Sequence, residues 1–235
     1  MRQTMRITPP LPTLCPPLCR LQDAACNYAQ NGWRVLPLYS LNADGACACG
    51  QLECPQPGQH PYLVDDVQQA TNDAVELQRW WKQDEQVNIG IATGDGLMVI
   101  EIDPLRGGFL EHFRQLYAIP ETAISQNERG SWQLYFTYNQ TLSLCTTKNK
   151  LGPGIDTYGE GNYVVAPPSL CIHGRVNWIN TATPARLPAV LLPFLLSSHL
   201  YGPAWSTQQQ RPSPAARELA RLLLQRSIIP EQEAN

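Results

Sequence analysis

Charge is scarce in this chain of 235 residues: Asp, Glu, Lys and Arg make up 16% of it, and the formal net charge is −3. With no basic excess, attraction of nucleic acid to the whole surface is excluded, and any such binding must be local. Long apolar runs are missing too. The longest, Leu187 to Leu200, is interrupted by Pro188, Pro193, Ser197, Ser198 and His199, and falls short of the ~18 residues that a membrane span requires. Met1 to Arg20 carries Pro9, Pro10, Pro12, Pro16 and Pro17, which exclude the helical apolar stretch of a secretory signal. The expectation is a cytoplasmic protein with no membrane contact. What the chain does have is 43% hydrophobic residues, enough to build one large core or two small ones.

The eight cysteines are not spaced as a disulfide framework. Cys26, Cys145 and Cys171 lie in apolar contexts and read as core filling. Cys47, Cys49 and Cys54 crowd into a Gly- and Pro-rich loop that ends at His60. Three sulfurs and an imidazole complete the ligand set of a tetrahedral Zn²⁺, with no open position, so the expected role is structural. Zinc would supply the organisation that a loop without periodicity lacks.

Along the chain, residues 1–20 read as a proline-rich lead-in, 21–205 as one domain with its zinc loop at 45–61, and 206–235 as a linker plus a helix at Pro214–Gln225. Helices are expected over Leu21–Asn31, capped by Gly32; over Asp73–Gln83, with Thr71 or Asn72 as N-cap; and over Gly108–Tyr117. Strands are expected at 33–38, 88–92, 97–103, 123–125, 132–138, 154–158, 162–166 and 175–179. The strands 154–158 and 162–166 read as a pair across Gly159-Glu160-Gly161. Strands and helices mixed without regular alternation indicate an α+β fold.

Leu97-Met98-Val99-Ile100-Glu101-Ile102-Asp103-Pro104 carries the chemistry. A buried strand runs into two acids at i and i+2, which alternation places on one face, roughly 7 Å apart. Either the strand simply ends in solvent, or the acids share a hard cation such as Mg²⁺ or Mn²⁺. Ser131 has no matching base nearby in sequence and is not read as a nucleophile. Trp80, Trp81, Trp132 and Trp178 read as core or groove wall, and His112 and His199 as structural.

The ordered set of segments resembles the bifunctional primase–polymerase domain of the archaeo-eukaryotic primase superfamily. The matching pieces are Tyr28-Ala29, Gly32-Trp33-Arg34-Val35, Pro37-Leu38, the Cys/His loop ending Pro57-Gly58-Gln59-His60-Pro61, Ala70-Thr71, Trp80-Trp81 and Asn88 to Gly94. They continue through Glu101-Ile102-Asp103, Gly130 to Phe136, Gly154-Ile155-Asp156 and Tyr163 to Ser169. The resemblance spans about residues 21 to 180 and implies an RRM-like catalytic core in a plasmid- or phage-type replication protein. It implies that Glu101, Asp103 and Asp156 hold catalytic Mg²⁺ or Mn²⁺, and that Ser131, Gln133 and Tyr158 meet the nucleotide. DNA template and nucleoside triphosphates are the implied partners. A separate helicase or replication protein is expected for unwinding, because relatives lead on to further domains.

This chain departs from the family where phosphate would bind. Glu101 replaces an Asp, Gln133 a His, Gln59 a Lys, Tyr158 an Arg and Cys171 a His, although His173 lies close by. Gln and Tyr donate hydrogen bonds but bring no positive charge to a triphosphate. Arg106, Arg129, Lys148, Lys150 and Arg175 lie near the motifs, and each taken alone reads as a solvated surface charge. Three functions therefore remain open: template-directed nucleotidyl transfer, impaired to some degree; a catalytically degenerate module of the same fold that binds nucleic acid or a replication partner; and a zinc-stabilised protein-interaction module.

Overall fold

The computed structural model describes residues 20–62 and 66–196. The lead-in before Arg20, the helix expected at Pro214–Gln225 and His199 lie outside the described residues. No helix among the described residues is long and apolar enough to cross a membrane.

The chain begins with α1 (Leu21–Gln30), β1 (Val35–Leu38) and, after the cysteine loop and a single helical turn at Asp66–Gln69, α2 (Ala74–Gln83). Asp73 rather than Thr71 or Asn72 caps α2, its carboxylate accepting from the Val75 N–H at 2.8 Å. Thr71 cannot serve because its backbone is still paired with Val35 in both directions; the chain is free to turn only afterwards. Next come β2 (Asn88–Thr93), β3 (Leu97–Ile102), a turn at Pro104–Arg106, α3 (Leu110–Tyr117), β4 (Ile124–Asn127) and β5 (Trp132–Thr137). The remainder is β6 (Ile155–Tyr158), β7 (Asn162–Val165), β8 (Leu170–Cys171), β9 (Gly174–Trp178), β10 (Ala185–Arg186) and the short α4 (Leu192–Leu195). The architecture is α+β.

Two sheets result. The smaller is ordered β1-β2-β7. The larger runs β6-β3-β5-β4-β9-β8, and β10 lies parallel to β5 at Phe136 and Thr137, beyond the point where β4 stops. The expected pairing of 154–158 with 162–166 is not formed. β6 pairs with β3 and β7 with β2, so the segment from Gly159 to Gly161 carries the chain between sheets instead of closing a hairpin. The outer edge of β6 is already taken by Thr147, which exchanges backbone hydrogen bonds with Thr157. The other crossing, from β2 to β3, passes beside it, and the buried Thr93 hydroxyl donates to the Gly159 carbonyl at 2.7 Å.

The apolar run of β3 is now explained. Met98, Ile100 and Ile102 enter a core with Phe113 of α3, Leu134, Phe136, Leu191 and Leu195. Leu97 and Val99 point the other way, into a core with Tyr28, Leu77, Trp81, Ile89, Ile91 and Tyr135. Both faces are covered, so the strand reads as continuous rather than alternating. Glu101 stands where the second of these faces loses its apolar cover. Trp80 and Trp81 are core residues, Trp132 packs against the α3 side, and Trp178 lies against Tyr28, Trp33 and Tyr135.

Candidate active site and metal centre

In antiparallel sheets, residues directly opposite each other share a face. Register places Asp156 of β6 opposite Glu101 of β3, Glu101 opposite Gln133 of β5, and Gln133 opposite Ser125 of β4. These residues form one row across four strands. Ser125 donates to Gln133 Oε1 at 3.0 Å, and the Tyr135 hydroxyl reaches the same oxygen at 3.0 Å. The Gln133 carbonyl is therefore engaged, and the amide NH₂ is the group that this side chain can offer. Tyr135 itself stacks on Trp33, with ring centroids 5.7 Å apart, so the apolar core leads directly up to the polar row. Ser131, a buried residue of the turn before β5, is fixed by its N–H bond to Asn127 Oδ1 at 3.1 Å.

Each acid is anchored by one oxygen. Glu101 Oε2 accepts from the Tyr158 hydroxyl at 2.7 Å. Asp103 Oδ1 accepts from the Leu105 N–H at 2.9 Å, capping the Pro104–Arg106 turn, and Asp156 Oδ1 accepts from the Asn149 N–H at 3.0 Å. Gly154 brings the last two together. It has φ +64°, its carbonyl accepts from the Asp103 N–H at 2.8 Å, and a Cβ there would stand 2.6 Å from the Asp103 carbonyl oxygen.

Arg106 is not a solvated surface charge. Its Nε lies 2.9 Å from Asp103 Oδ2 and one terminal nitrogen 2.8 Å from Asp156 Oδ2. The guanidinium bridges the two aspartates through the oxygens that the backbone leaves free. The Asp156 side chain is only 8% exposed and Asp103 19%, against 40% for Arg106. Burial, with added repulsion from Asp156 and Asp103, pushes the Glu101 carboxyl above the usual range, and the Tyr158 hydroxyl and Arg106 only partly oppose this. Burial and the neighbouring Glu101 in turn raise the Tyr158 phenol, which keeps its proton and donates.

The other cations divide. Lys148 and Lys150 are exposed and flank Asn149, the residue bonded to Asp156. Arg129 donates to His173 Nδ1 at 2.8 Å. Burial and then Arg129 hold the His173 imidazole below its ordinary value. The turn that bears Arg129 passes close to Pro104, which a Cβ at Gly130 would meet at 3.6 Å. Arg175 points elsewhere, bonding the Pro168 carbonyl at 2.9 Å. Cys171 is buried, and its thiol meets the Gly174 carbonyl.

The cysteine loop does converge. Ligand atoms of Cys47, Cys49, Cys54 and His60 all lie within 4.8 Å of one another. A tetrahedral zinc site requires ligand separations of roughly 3.8 Å, given Zn–S of about 2.3 Å, and Cys47 Sγ stands 3.4 Å from His60 Nε2. Burial works to raise the Cys47 thiol. Hydrogen bonds from the backbone of Cys49 and Gly58 and the side chains of Cys49 and His60 outweigh it and bring the thiol down to about 6. That favours thiolate, the form that binds metal. Among the described residues, no other group of three or more such side chains gathers so closely; the three acids do not close around one point while Arg106 bridges two of them.

Asn88, the first residue of the segment Asn88 to Gly94, has a role that its place in that segment does not disclose. Buried at the start of β2, its amide nitrogen reaches the carbonyls of Gly58 at 2.8 Å, Leu170 at 2.7 Å and Tyr39 at 3.3 Å, and its oxygen accepts from the Leu170 N–H at 3.0 Å. It ties the cysteine loop to both sheets. Gly58 makes that docking possible: with φ +74°, it lies so close that a Cβ would meet Cys171 Cα at 3.0 Å. An Asn in the first position of an apolar strand was the available signal.

A family model described as the N-terminal domain of bifunctional DNA primase/polymerase matches residues 25–190. No protein of curated function matches the chain.

Proposed function

The chain belongs to the bifunctional DNA primase/polymerase family, and from that premise we propose that it acts in DNA replication by template-directed nucleotidyl transfer, with Glu101, Asp103 and Asp156 as the metal-holding acids. The observation that supports this most directly is the convergence of Asp103 Oδ2 and Asp156 Oδ2 on a single cation, Arg106, beside Glu101. Hard carboxylate oxygens aimed at one positive group form a donor set suited to Mg²⁺ or Mn²⁺. Such an ion, when bound, lowers the barrier by activating the primer 3′-hydroxyl and neutralising the departing pyrophosphate.

The chain's own residues orient the reactants. Tyr158 holds Glu101 from the side, and Asn149 and Leu105 fix the two aspartates, so that little reorganisation is left for the reaction. Gln133 offers an amide where the family resemblance implies an imidazole, with Ser131 next on that face. These groups can hydrogen-bond phosphate oxygens without neutralising them, which accounts for an expected reduction in triphosphate affinity. Zinc held by Cys47, Cys49, Cys54 and His60 would be structural, locking the loop between β1 and β8.

One observation favours the second reading, a degenerate module that binds nucleic acid or a replication partner: Arg106 already satisfies the aspartates from within the chain. Primer extension with labelled nucleotides and Mn²⁺ separates the two. Metal-dependent incorporation that vanishes in an Asp103→Ala/Asp156→Ala protein supports transfer. No incorporation, with salt-sensitive binding of single-stranded DNA, supports the degenerate module.

A further inference from the structure

The acid cluster contains its own counter-ion, and its geometry sets what a metal must do to enter. Asp103 and Asp156 each give one oxygen to a backbone N–H and the other to Arg106. The guanidinium does not grip one carboxylate in a fork. It spans both, Nε to one and a terminal nitrogen to the other, and so occupies the oxygens that a divalent ion held by this pair would need. Arg106 and a metal bound by these oxygens therefore exclude each other, by contact and by charge.

Arg106 is also placed to leave. It ends a single turn, Pro104–Arg106, followed at once by Gly107 and Gly108. Its side chain is 40% exposed, against 8% for Asp156, so the acids stay while the guanidinium can swing toward solvent. The neighbouring polar side chains, Gln133 of the row and Tyr158 beside Glu101, are neutral. A triphosphate arriving at this face would find Arg106 as the cation already standing at the acids.

We propose that Arg106 is a displaceable counter-ion with two stations. It closes the Asp103/Asp156 pair when the site is empty, and metal entry releases it to the phosphates of the incoming nucleotide. This rests on the reading that the acids hold a divalent ion. It makes metal and nucleotide binding mutually supportive: metal frees the cation that nucleotide needs, and nucleotide holds the cation away from the acids.

The test uses the zinc-loaded full chain and follows unbound Mn²⁺ by its electron paramagnetic resonance signal. Arg106→Gln, which keeps a donor but no charge, is expected to bind Mn²⁺ alone at least fivefold more tightly than the parent, and to bind deoxynucleoside triphosphate with Mn²⁺ at least tenfold more weakly. Equal or weaker Mn²⁺ binding by the variant overturns the proposal and leaves the metal reading intact. If neither protein shows Mn²⁺ binding that depends on Asp103 and Asp156, as judged against Asp103→Asn/Asp156→Asn, both fall. An independent readout needs no variant to fold for its result. In the parent protein, the ¹⁵N–¹H signal of the Arg106 Nε, bonded to Asp103, is expected to shift on adding Mg²⁺ and to shift again with a non-hydrolysable triphosphate. A signal that stays in place while Mg²⁺ saturates the acids also overturns the proposal.

Discussion

Glu101 and Asp156 stand directly opposite each other on neighbouring antiparallel strands, 55 positions apart in the chain. Like charges directly opposite each other are destabilising. The surroundings offset this cost unequally. Asp156 has Arg106 and the Asn149 N–H; Glu101 has the Tyr158 hydroxyl. The pair is thus held by Arg106 on one side and by the Tyr158 hydroxyl on the other.

Replacing Asp156 separates its charge from its hydrogen bonds. Asp156→Ala removes the buried carboxylate that accepts from the Asn149 N–H and one guanidinium nitrogen; hydrogen bonds to a charged group are worth about 1.5–3 kcal/mol, and both donors remain open to water. Relief of the repulsion with Glu101 returns part of that. The expected net loss is about 1–2 kcal/mol in urea unfolding. Asp156→Asn keeps an acceptor for the N–H and should lie closer to the parent. Incorporation of nucleotide, if the parent shows it, should vanish in both. A fully stable Ala variant would mean that Arg106 and Asn149 find other partners.

The pH dependence of Glu101 follows from its raised folded-state pKa, whose largest cause is burial. A carboxyl raised on folding contributes stability that is fully present below its unfolded value, near 4.3, and is lost as pH rises through the folded value. Glu101→Gln removes the titration and keeps an oxygen for the Tyr158 hydroxyl. The variant should therefore be the more stable protein at pH 7 to 8 and should converge with the parent near pH 4. Urea unfolding across that range, without metal, checks the sign. A variant less stable at neutral pH would show that the ionised Glu101 is net favourable in the fold.

Part of this arrangement was legible in the sequence. The β3 run and its two acids declare a strand whose odd face turns polar, because Leu97 and Val99 are followed by Glu101 at period 2. Register could not be read. Strands β6 and β7 look like a hairpin because Gly159 and Gly161 flank a short turn, but Thr147 holds the β6 edge and β7 pairs with β2, more than 60 positions earlier in the chain. Strands of two residues, β8 and β10, carry no periodicity to detect. Arg106 illustrates the same limit. Its pairing with Asp103 is local, at i and i+3, but its meaning comes from Asp156, 50 positions away. The Cys/His loop was readable because ligand identity, not packing, specifies it.

Gly154 is expected to be intolerant of any side chain. Its positive φ disfavours an L-residue, and a Cβ would press on the Asp103 carbonyl at 2.6 Å and the Gly108 nitrogen at 2.7 Å, both backbone atoms that cannot rotate away. Gly154→Ala should cost about 1–3 kcal/mol from the forced backbone. It should also weaken Mn²⁺ binding, because the strain acts on the link between Asp103 and the strand that carries Asp156. Gly161→Ala, also at positive φ but with open space around it, serves as the control. Its stability cost should come without a change in metal affinity. Equal Mn²⁺ affinity in the two variants would dismiss Gly154 as the spacer of the acids.

Removing metal from the Cys/His loop should undo the loop before the domain. Apart from Cys47 and Gly58, residues 42–60 are partly or fully exposed, so little apolar burial holds them in place. On the proposal that Cys47, Cys49, Cys54 and His60 hold zinc, ligand bonds supply the order that burial does not. The loop contains Glu53, exposed, and no Lys or Arg, so a protease specific for glutamate reports on it where trypsin is blind. Chelation, or Cys54→Ser, is expected to open the Glu53 site at least tenfold faster while α1, α2 and the β3 core stay protected. Asn88→Ala should do the same without touching a ligand, since its amide joins Gly58 and Leu170. The decisive comparison is between these two routes. If chelation exposes Glu53 but Asn88→Ala does not, the metal alone orders the loop. If both do, metal and Asn88 act as one clamp between the sheets, and loss of either should lower the thermal midpoint of the whole domain. If Glu53 remains protected after zinc is demonstrably gone, the loop is held by its backbone bonds to Tyr39 and Ser40, and the four ligands are not its structural support.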